Sequence, residues 1–183
     1  MADALAVLEL SSIARGLHCI DALVKRAEVS LLRADPVTPG KYLIVFEGGV
    51  EEVRESLEAA REDAVPFAID HLLLPQVHPA LRAALDELSP APLGTSLGIL
   101  ELATVASTIA AADRALKCTS VALVAIHLAR GIDGKGYLAF TGAQHDVEAS
   151  LDAGDEAVAP AHRVGRELIA NPHPDFDWAL TRL

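Results

Sequence analysis

A chain of 183 residues has room for one domain or two small ones, and its formal net charge of −11 argues against a nucleic-acid-binding surface, which needs a basic stripe. Although 51% of the residues are hydrophobic, no apolar run approaches the roughly 20 residues that span a bilayer, so we expect no membrane association. The two cysteines, Cys19 and Cys118, make no disulfide framework and fit a reducing compartment. No basic segment precedes the first apolar stretch, which favours a cytoplasmic protein. We expect the apolar excess to be buried in cores and in subunit interfaces.

The chain opens with a predicted strand and a predicted helix. Residues 5–10 form a short apolar run typical of a buried strand. Ser11 or Ser12 can then cap a helix by accepting a hydrogen bond from an unpaired backbone N–H. Apolar residues follow at helical spacing and predict one apolar helix face. They are Ile13, Leu17, Ile20, Val24 and Ala27.

Two further strands and a second helix come next. The sequence predicts strands over 29–33 and 41–46, joined by a turn-rich segment at 35–40. Apolar residues at helical spacing over 50–60 predict the second helix. Its acidic residues are most simply a solvated outer face.

The first half ends with a fourth predicted strand and a terminal helix. Residues 67–74 read as the strand, and Pro79 can begin a helix that continues to Leu88. The order β-α-β-β-α-β is that of the split βαβ, ferredoxin-like fold. This mixed α/β (α+β) arrangement is an antiparallel sheet with packed helices.

The second half of the chain repeats the first. Residues 96–124 restate 4–32 at an offset of 92 (97 − 5). Matching pairs include Leu5 and Leu97, Glu9 and Glu101, Asp21 and Asp113, and Lys25 and Lys117. The offset becomes 94 at Gly134 (134 − 40), so two residues have been added within 128–134. We predict two tandem domains, 1–90 and 95–183, with linker composition over 89–94.

Each half resembles the bacterial microcompartment shell domain, and the whole chain is similar to a tandem-domain shell protein in unpermuted order. The resemblance is carried by the acidic opening strands (AVLEL and GILEL), by a helix ending in Asp-x-x-x-Lys, and by a turn with glycine before a strand closed by glycine. It implies a structural protein without enzymatic activity, located in a microcompartment shell. It further implies a homotrimer that imitates a hexamer, contacts other shell proteins and surrounds a central pore for small metabolites.

The resemblance also implies the positions of the pore and of the assembly edge. The pore-lining residues would be Thr38, Pro39 and Gly40 in the first half and Arg130, Gly131, Ile132, Asp133 and Gly134 in the second. The edge between neighbouring assemblies would carry Lys25, Lys117, Gln76, His78, Asn171 and His173. Gln76 and Asn171 stand where the family usually has arginine. By residue type alone, the glycines could be ordinary hairpin glycines, and the lysines could simply favour a helix C-terminus.

No catalytic or cofactor-binding set emerges from the residues. The seven histidines show no zinc-site spacing, and glycine-rich phosphate loops and a serine nucleophile elbow are missing. Some tandem shell proteins hold an iron–sulfur cluster through a pore cysteine, but neither pore turn here contains one. We therefore expect no cofactor, no metal and no catalytic residue. One alternative function stays open, a small-molecule-binding regulatory protein built from tandem ferredoxin-like domains.

Overall fold

The computed structural model describes residues 3–86, 91–173 and 175–176, and these form two successive units of similar element order. The first unit comprises β1 (Ala4–Leu10), α1 (Ile13–Arg26), β2 (Ser30–Val37), β3 (Lys41–Gly48), α2 (Val50–Ala64), β4 (Ala68–Leu74) and α3 (Pro79–Asp86). The second comprises β5 (Ser96–Leu102), α4 (Val105–Cys118), β6 (Ala122–Leu128), β7 (Gly136–Gly142), α5 (Gln144–Glu156), a 3₁₀ turn (Pro160–His162) and β8 (Arg163–Ala170). Leu88, the start of the expected linker and the chain's last seven residues lie outside the described ranges.

Each unit contains one four-stranded antiparallel sheet. The strand orders are β2-β3-β1-β4 and β6-β7-β5-β8, so the opening strand of each unit lies inside its sheet. In β1, for example, Leu8 pairs with Ile44 on one side and with His71 on the other. This topology confirms the two predicted ferredoxin-like units.

The first helix of each unit begins at a hydroxyl cap. Ser12 accepts a hydrogen bond from the Arg15 N–H, and Thr104 accepts one from the Ser107 N–H. Each cap satisfies one of the backbone donors that a helix N-terminus leaves unpaired. Of the two serines that the sequence offers, Ser12 is the cap.

The β2–β3 hairpin is longer than the sequence suggests. Strand β2 runs to Val37, whereas the sequence predicted its end near residue 33 and a turn over 35–40. Strand β2 lies at the sheet edge, where Pro36 pairs opposite Tyr42. Proline is tolerated in an edge strand because its missing N–H can face away from the neighbouring strand. The turn is therefore confined to 38–40.

The apolar face predicted for α1 is not the face buried within the chain. The buried residues of α1 are Gly16, Cys19 and Leu23. In contrast, Ile13, Leu17 and Val24 are 43%, 57% and 45% exposed. The prediction of an apolar face was correct, but the single chain does not cover most of it.

The first sheet is covered on both faces. Ala6 and Leu8 of β1 belong to a core cluster with residues of α1 and α2, which lie on one face. Leu5 and Val7 point to the other face and belong to a cluster that includes Ile109 of α4. Helix α4 of the second unit thus packs on the first unit's sheet and joins the two units.

Candidate functional site

The two turns predicted to line a pore lie side by side in the structure. The Gly131 N–H donates to Thr38 Oγ1 at 3.2 Å, and Lys41 Nζ donates to the Gly134 carbonyl at 3.4 Å. Next to them, Arg130 donates to Asp35 Oδ2 at 3.3 Å. Although the turns are more than 90 residues apart in sequence, the fold brings them to one place.

Glycine is required at the point where the turns touch. Gly134 has φ of +75°, and a Cβ there would lie 2.8 Å from Lys41 Nζ and 2.9 Å from the Thr38 carbonyl oxygen. Gly40 and Gly131 also have positive φ, a region that side chains disfavour. Gly134 is buried and Ile132 half-buried, whereas the other predicted pore residues are exposed. The absence of a side chain at Gly134 therefore allows the two turns to pack against each other.

A buried carboxylate lies behind these turns. Glu9 of β1 is fully buried, and its Oε1 accepts a hydrogen bond of 2.7 Å from the Ala106 N–H at the start of α4. Its Oε2 lies 3.8 Å from Lys41 Nζ and has no hydrogen-bond partner among the described residues. Burial raises the pKa of Glu9 to about 7, and the Ala106 N–H and the Lys41 ammonium act in the opposite direction.

The second unit repeats this glutamate–lysine contact in a more exposed setting. Lys135 donates to Glu101 at 2.6 Å, and the two side chains are 40% and 38% exposed. Sequence analysis noted the two acids as part of the strand pattern but gave them no role. A charged residue in an apolar strand, present in both repeats, was the signal that could have marked them.

A cluster of polar residues next to Glu9 links the two units by hydrogen bonds. Asp70 of β4 accepts hydrogen bonds from Thr104 (2.6 Å) and Ser107 (3.1 Å) at the start of α4. His162 Nδ1 lies 2.7 Å from Ser107 Oγ and 3.4 Å from Asp70. A nucleophile–base–acid relay uses both ring nitrogens of its histidine. Here one nitrogen faces both partners, so the geometry is that of a structural contact. These residues are far apart in sequence, and no local pattern pointed to them.

Three of the six predicted edge residues meet at the junction between the units. Lys117 of α4 donates to the Gln76 carbonyl and to Asp113 Oδ2 (2.6 Å). Asp113 Oδ1 in turn accepts a hydrogen bond of 2.8 Å from the His78 N–H. Asp113 and Lys117 of α4 thus bind the main chain that follows β4.

The other three edge residues lie on open surfaces. Lys25 of α1 pairs with Asp21 at 2.6 Å, and both side chains are more than half exposed. Asn171 and His173 follow β8 and are exposed. The Asp-x-x-x-Lys motif therefore contacts the other unit in α4, whereas in α1 it is exposed to solvent.

The described part of the chain contains neither a metal-binding cluster nor a membrane-spanning helix. No three His, Cys, Asp or Glu side chains there are grouped so as to hold a metal ion. Among those residues, no helix combines the length and apolar character that a membrane crossing needs.

Comparison with known proteins gave consistent matches. Residues 4–77 and 96–172 each match the family model described as BMC domain. The bacterial microcompartment shell protein PduT of Citrobacter freundii is 36% identical over 178 residues, which cover 94% of this chain and 95% of the relative. A microcompartment protein from Desulfitobacterium hafniense DCB has a solved structure that superposes with a TM-score of 0.82. It is 38% identical, with 94% of this chain and 97% of that one covered.

A more distant structure shares the fold. The fused permuted hexameric shell protein of the RMM microcompartment superposes with a TM-score of 0.64 at 22% identity, over 84% of this chain and 83% of that one.

Proposed function

Since the chain belongs to the family of bacterial microcompartment shell proteins and carries two BMC domains, we propose that it forms a homotrimeric ring of six domains with a central pore for small metabolites. The ring is a tile that contacts other shell proteins at its edge. The protein's role is structural, and its domains extend over 1–90 and 95–183.

One observation is the main support for a ring. Equivalent apolar positions are buried on α4 of the second unit and exposed on α1 of the first. Val105, Ile109 and Leu116 of α4 are at most 5% exposed because the first unit packs on them. Subtracting 92 gives their counterparts on α1, Ile13, Leu17 and Val24, all more than 40% exposed. Helix α1 therefore presents a face suited to the kind of surface that α4 already contacts.

The complementary surface is partly open on the second sheet, where Leu97 and Ala139 are fully buried but the residues beside them are less so. Val7 and Leu43 of the first sheet are fully buried by α4 and its surroundings. Their counterparts in the second sheet, Ile99 and Tyr137, are only partly buried. The open helix of one chain and the open sheet of another can repeat the contact made within the chain. Such a head-to-tail contact closes into a ring when the rotation allows it, and six domains require three chains.

The turns support a pore at the centre of this ring. They lie at one end of two neighbouring hairpins, so a rotation that repeats the junction carries all six turns to one axis. Thr38, Pro39 and Gly40 then alternate with the turn from Arg130 to Asp133. Lys41 and Lys135 each face a glutamate, which leaves Arg130 and Asp133 as the exposed charges of the second turn.

The mass in solution tests the ring. Light scattering should give three chains of 19.2 kDa, about 58 kDa, and electron microscopy of the same sample should show rings with a central hole. Leu17→Asp places a charge in the apolar contact and should shift the mass towards that of one chain, because burying an unpaired charge is costly.

A matched control uses another exposed apolar residue. Val65 follows α2 and is 67% exposed, and Ala159, at the equivalent place in the covered second unit, also stays exposed. Val65→Asp should therefore leave the trimer intact. A wild-type monomer or dimer without rings would overturn the proposal and favour a discrete regulatory protein.

A further inference from the structure

Asp113 and Lys117 of α4 recognise main-chain atoms of the first unit. Asp113 accepts from the His78 N–H at 2.8 Å, and Lys117 donates to the Gln76 carbonyl. The two side chains also contact each other at 2.6 Å, and the Asp113 carboxylate is buried. Because both contacts are to backbone, the side chain at position 76 does not take part in them.

Asp21 and Lys25 repeat this pair on the open helix α1. They have the same four-residue spacing and the same separation of 2.6 Å. Their side chains are 58% and 71% exposed, respectively, and the helix face beside them is the apolar face defined by Ile13, Leu17 and Val24. The pair is thus preformed at the edge of the surface proposed to receive a second chain.

The segment after β8 repeats the segment that α4 holds. His78 Nδ1 accepts a hydrogen bond of 3.2 Å from the Ala80 N–H, two residues further on. His173 Nδ1 accepts one of the same length from the Asp175 N–H, again two residues on. The imidazole stabilises the same local turn in both places. The likeness holds at the histidine and beyond it but not two residues earlier, where Asn171 has a φ of +49° and Gln76 has no positive φ.

We propose that Asp21 and Lys25 form a latch between chains, which closes on residues 171–173 of a second copy of this protein. Asp21 accepts a hydrogen bond from the backbone N–H of His173 of the partner subunit, and Lys25 donates to a backbone carbonyl of the same segment. The inference rests on the proposed ring. It assigns the pair to a contact within one tile, whereas the family resemblance places Lys25 at contacts between tiles. Because the latch recognises backbone, it tolerates Gln76 and Asn171 where the family usually has arginine.

Subunit exchange between two differently labelled wild-type trimers, followed by native mass spectrometry, measures the latch. Asp21→Asn removes the charge of the acceptor, and we expect exchange to become about tenfold faster, the effect of one charge-assisted hydrogen bond. Glu51→Gln is the matched control, because Glu51 also pairs with a basic residue on its own helix. Its counterpart in the covered second unit, His145, remains 83% exposed. Exchange in this control should equal that of the wild type.

A double-mutant cycle tests the named donor. His173→Pro removes the backbone N–H, while His173→Ala keeps it and removes only the imidazole. We expect exchange to be faster in His173→Pro than in His173→Ala. Adding Asp21→Asn to His173→Pro should bring no further increase, since both substitutions remove the same bond.

The outcomes separate the latch from the ring. A wild type that is not a trimer overturns the ring and, with it, the latch. A wild-type trimer in which Asp21→Asn exchanges like Glu51→Gln, or in which the two effects multiply, overturns the latch alone.

Discussion

At the scale of single residues, the burial of Glu9 at the junction between the units is energetically unfavourable. Its carboxylate is removed from water, and one oxygen has no hydrogen-bond partner among the described residues. Lys41 and the Ala106 N–H offset part of this cost, but the pKa is still raised from 4.5 to about 7. Asp70, which faces the same site, adds a like charge and acts in the raising direction. Below about pH 7 the folded protein thus favours the protonated form of Glu9.

The raised pKa predicts a pH dependence of stability with a definite sign. Between about pH 4.5 and 7 the folded chain keeps a proton on Glu9 that the unfolded chain loses, so the contribution of Glu9 to stability falls as pH rises. The full change is on the order of 3 kcal/mol, and it is complete above about pH 7.

Glu9→Gln isolates this effect, because glutamine does not titrate. The unfolding free energy of the wild type minus that of Glu9→Gln should fall between pH 5 and pH 7.5, measured by urea unfolding at one protein concentration. Other titrating groups cancel in this difference. A difference that is the same at both pH values would show that Glu9 is ionised throughout.

At the scale of elements, the two units solve the same packing problem in opposite ways. Gly16 of α1 lies over Tyr42 of β3, and a Cβ on Gly16 would come within 2.3 Å of the tyrosine ring. In the second unit Thr108 of α4 lies over Gly136 of β7, and a Cβ on Gly136 would come within 2.2 Å of the Thr108 hydroxyl. Gly16 corresponds to Thr108 and Tyr42 to Gly136, so each crossing combines one glycine with one larger side chain. The space at each crossing admits only one larger side chain, and either the helix or the strand can supply that side chain.

This reciprocity predicts a coupling between two substitutions. Gly16→Thr should destabilise the protein by about 1 to 3 kcal/mol through overpacking against Tyr42. Tyr42→Gly alone should also destabilise it, because it leaves a cavity and removes the hydrogen bond from the tyrosine hydroxyl to the Ala34 carbonyl. The double variant copies the second unit, so its loss should be smaller than the sum of the two by at least about 1 kcal/mol. Additive losses in urea unfolding would mean that the two positions do not share one space.

At the scale of the whole molecule, the proposed pore depends on charges that three chains bring together. Arg130 is 73% exposed, and the only carboxylate that forms an ion pair with it among the described residues is that of the partly buried Asp35. Three copies around an axis would concentrate positive charge where a solute passes. Lys135 contributes less, because its ammonium is bonded to Glu101.

Neutralising this charge should change which ions pass. Arg130→Gln should lower the ratio of anion to cation permeability severalfold, and Asp133→Asn should raise it, as measured from reversal potentials of assembled layers in a salt gradient. Arg54→Gln on the outer side of α2 serves as the control and should leave the ratio unchanged. Unchanged selectivity in Arg130→Gln would remove this residue from the permeation path.

The sequence by itself determined the two-unit architecture, because each pattern behind it is local or repeated. Short apolar runs, apolar residues at helical spacing, a serine cap at 11 or 12 and the offset of 92 are all readable along the chain, and together they specify two units of one fold. The positions of the pore turns, by contrast, came from family resemblance. That assignment to a pore, like the ring itself, stays a prediction.

Only the tertiary structure decided which surfaces are closed and which are open. Leu17 and Ile109 occupy the same place in the repeat, yet one is 57% exposed and the other is fully buried. Glu9 is likewise fully buried where Glu101 is partly exposed, and the side chain of Lys117 is 37% exposed where that of Lys25 is 71% exposed. Nothing local distinguishes the members of these pairs, since burial depends on which unit packs against which. In one chain the second unit's helix meets the first unit's sheet, whereas no described element of the chain covers the corresponding face of the first unit's helix.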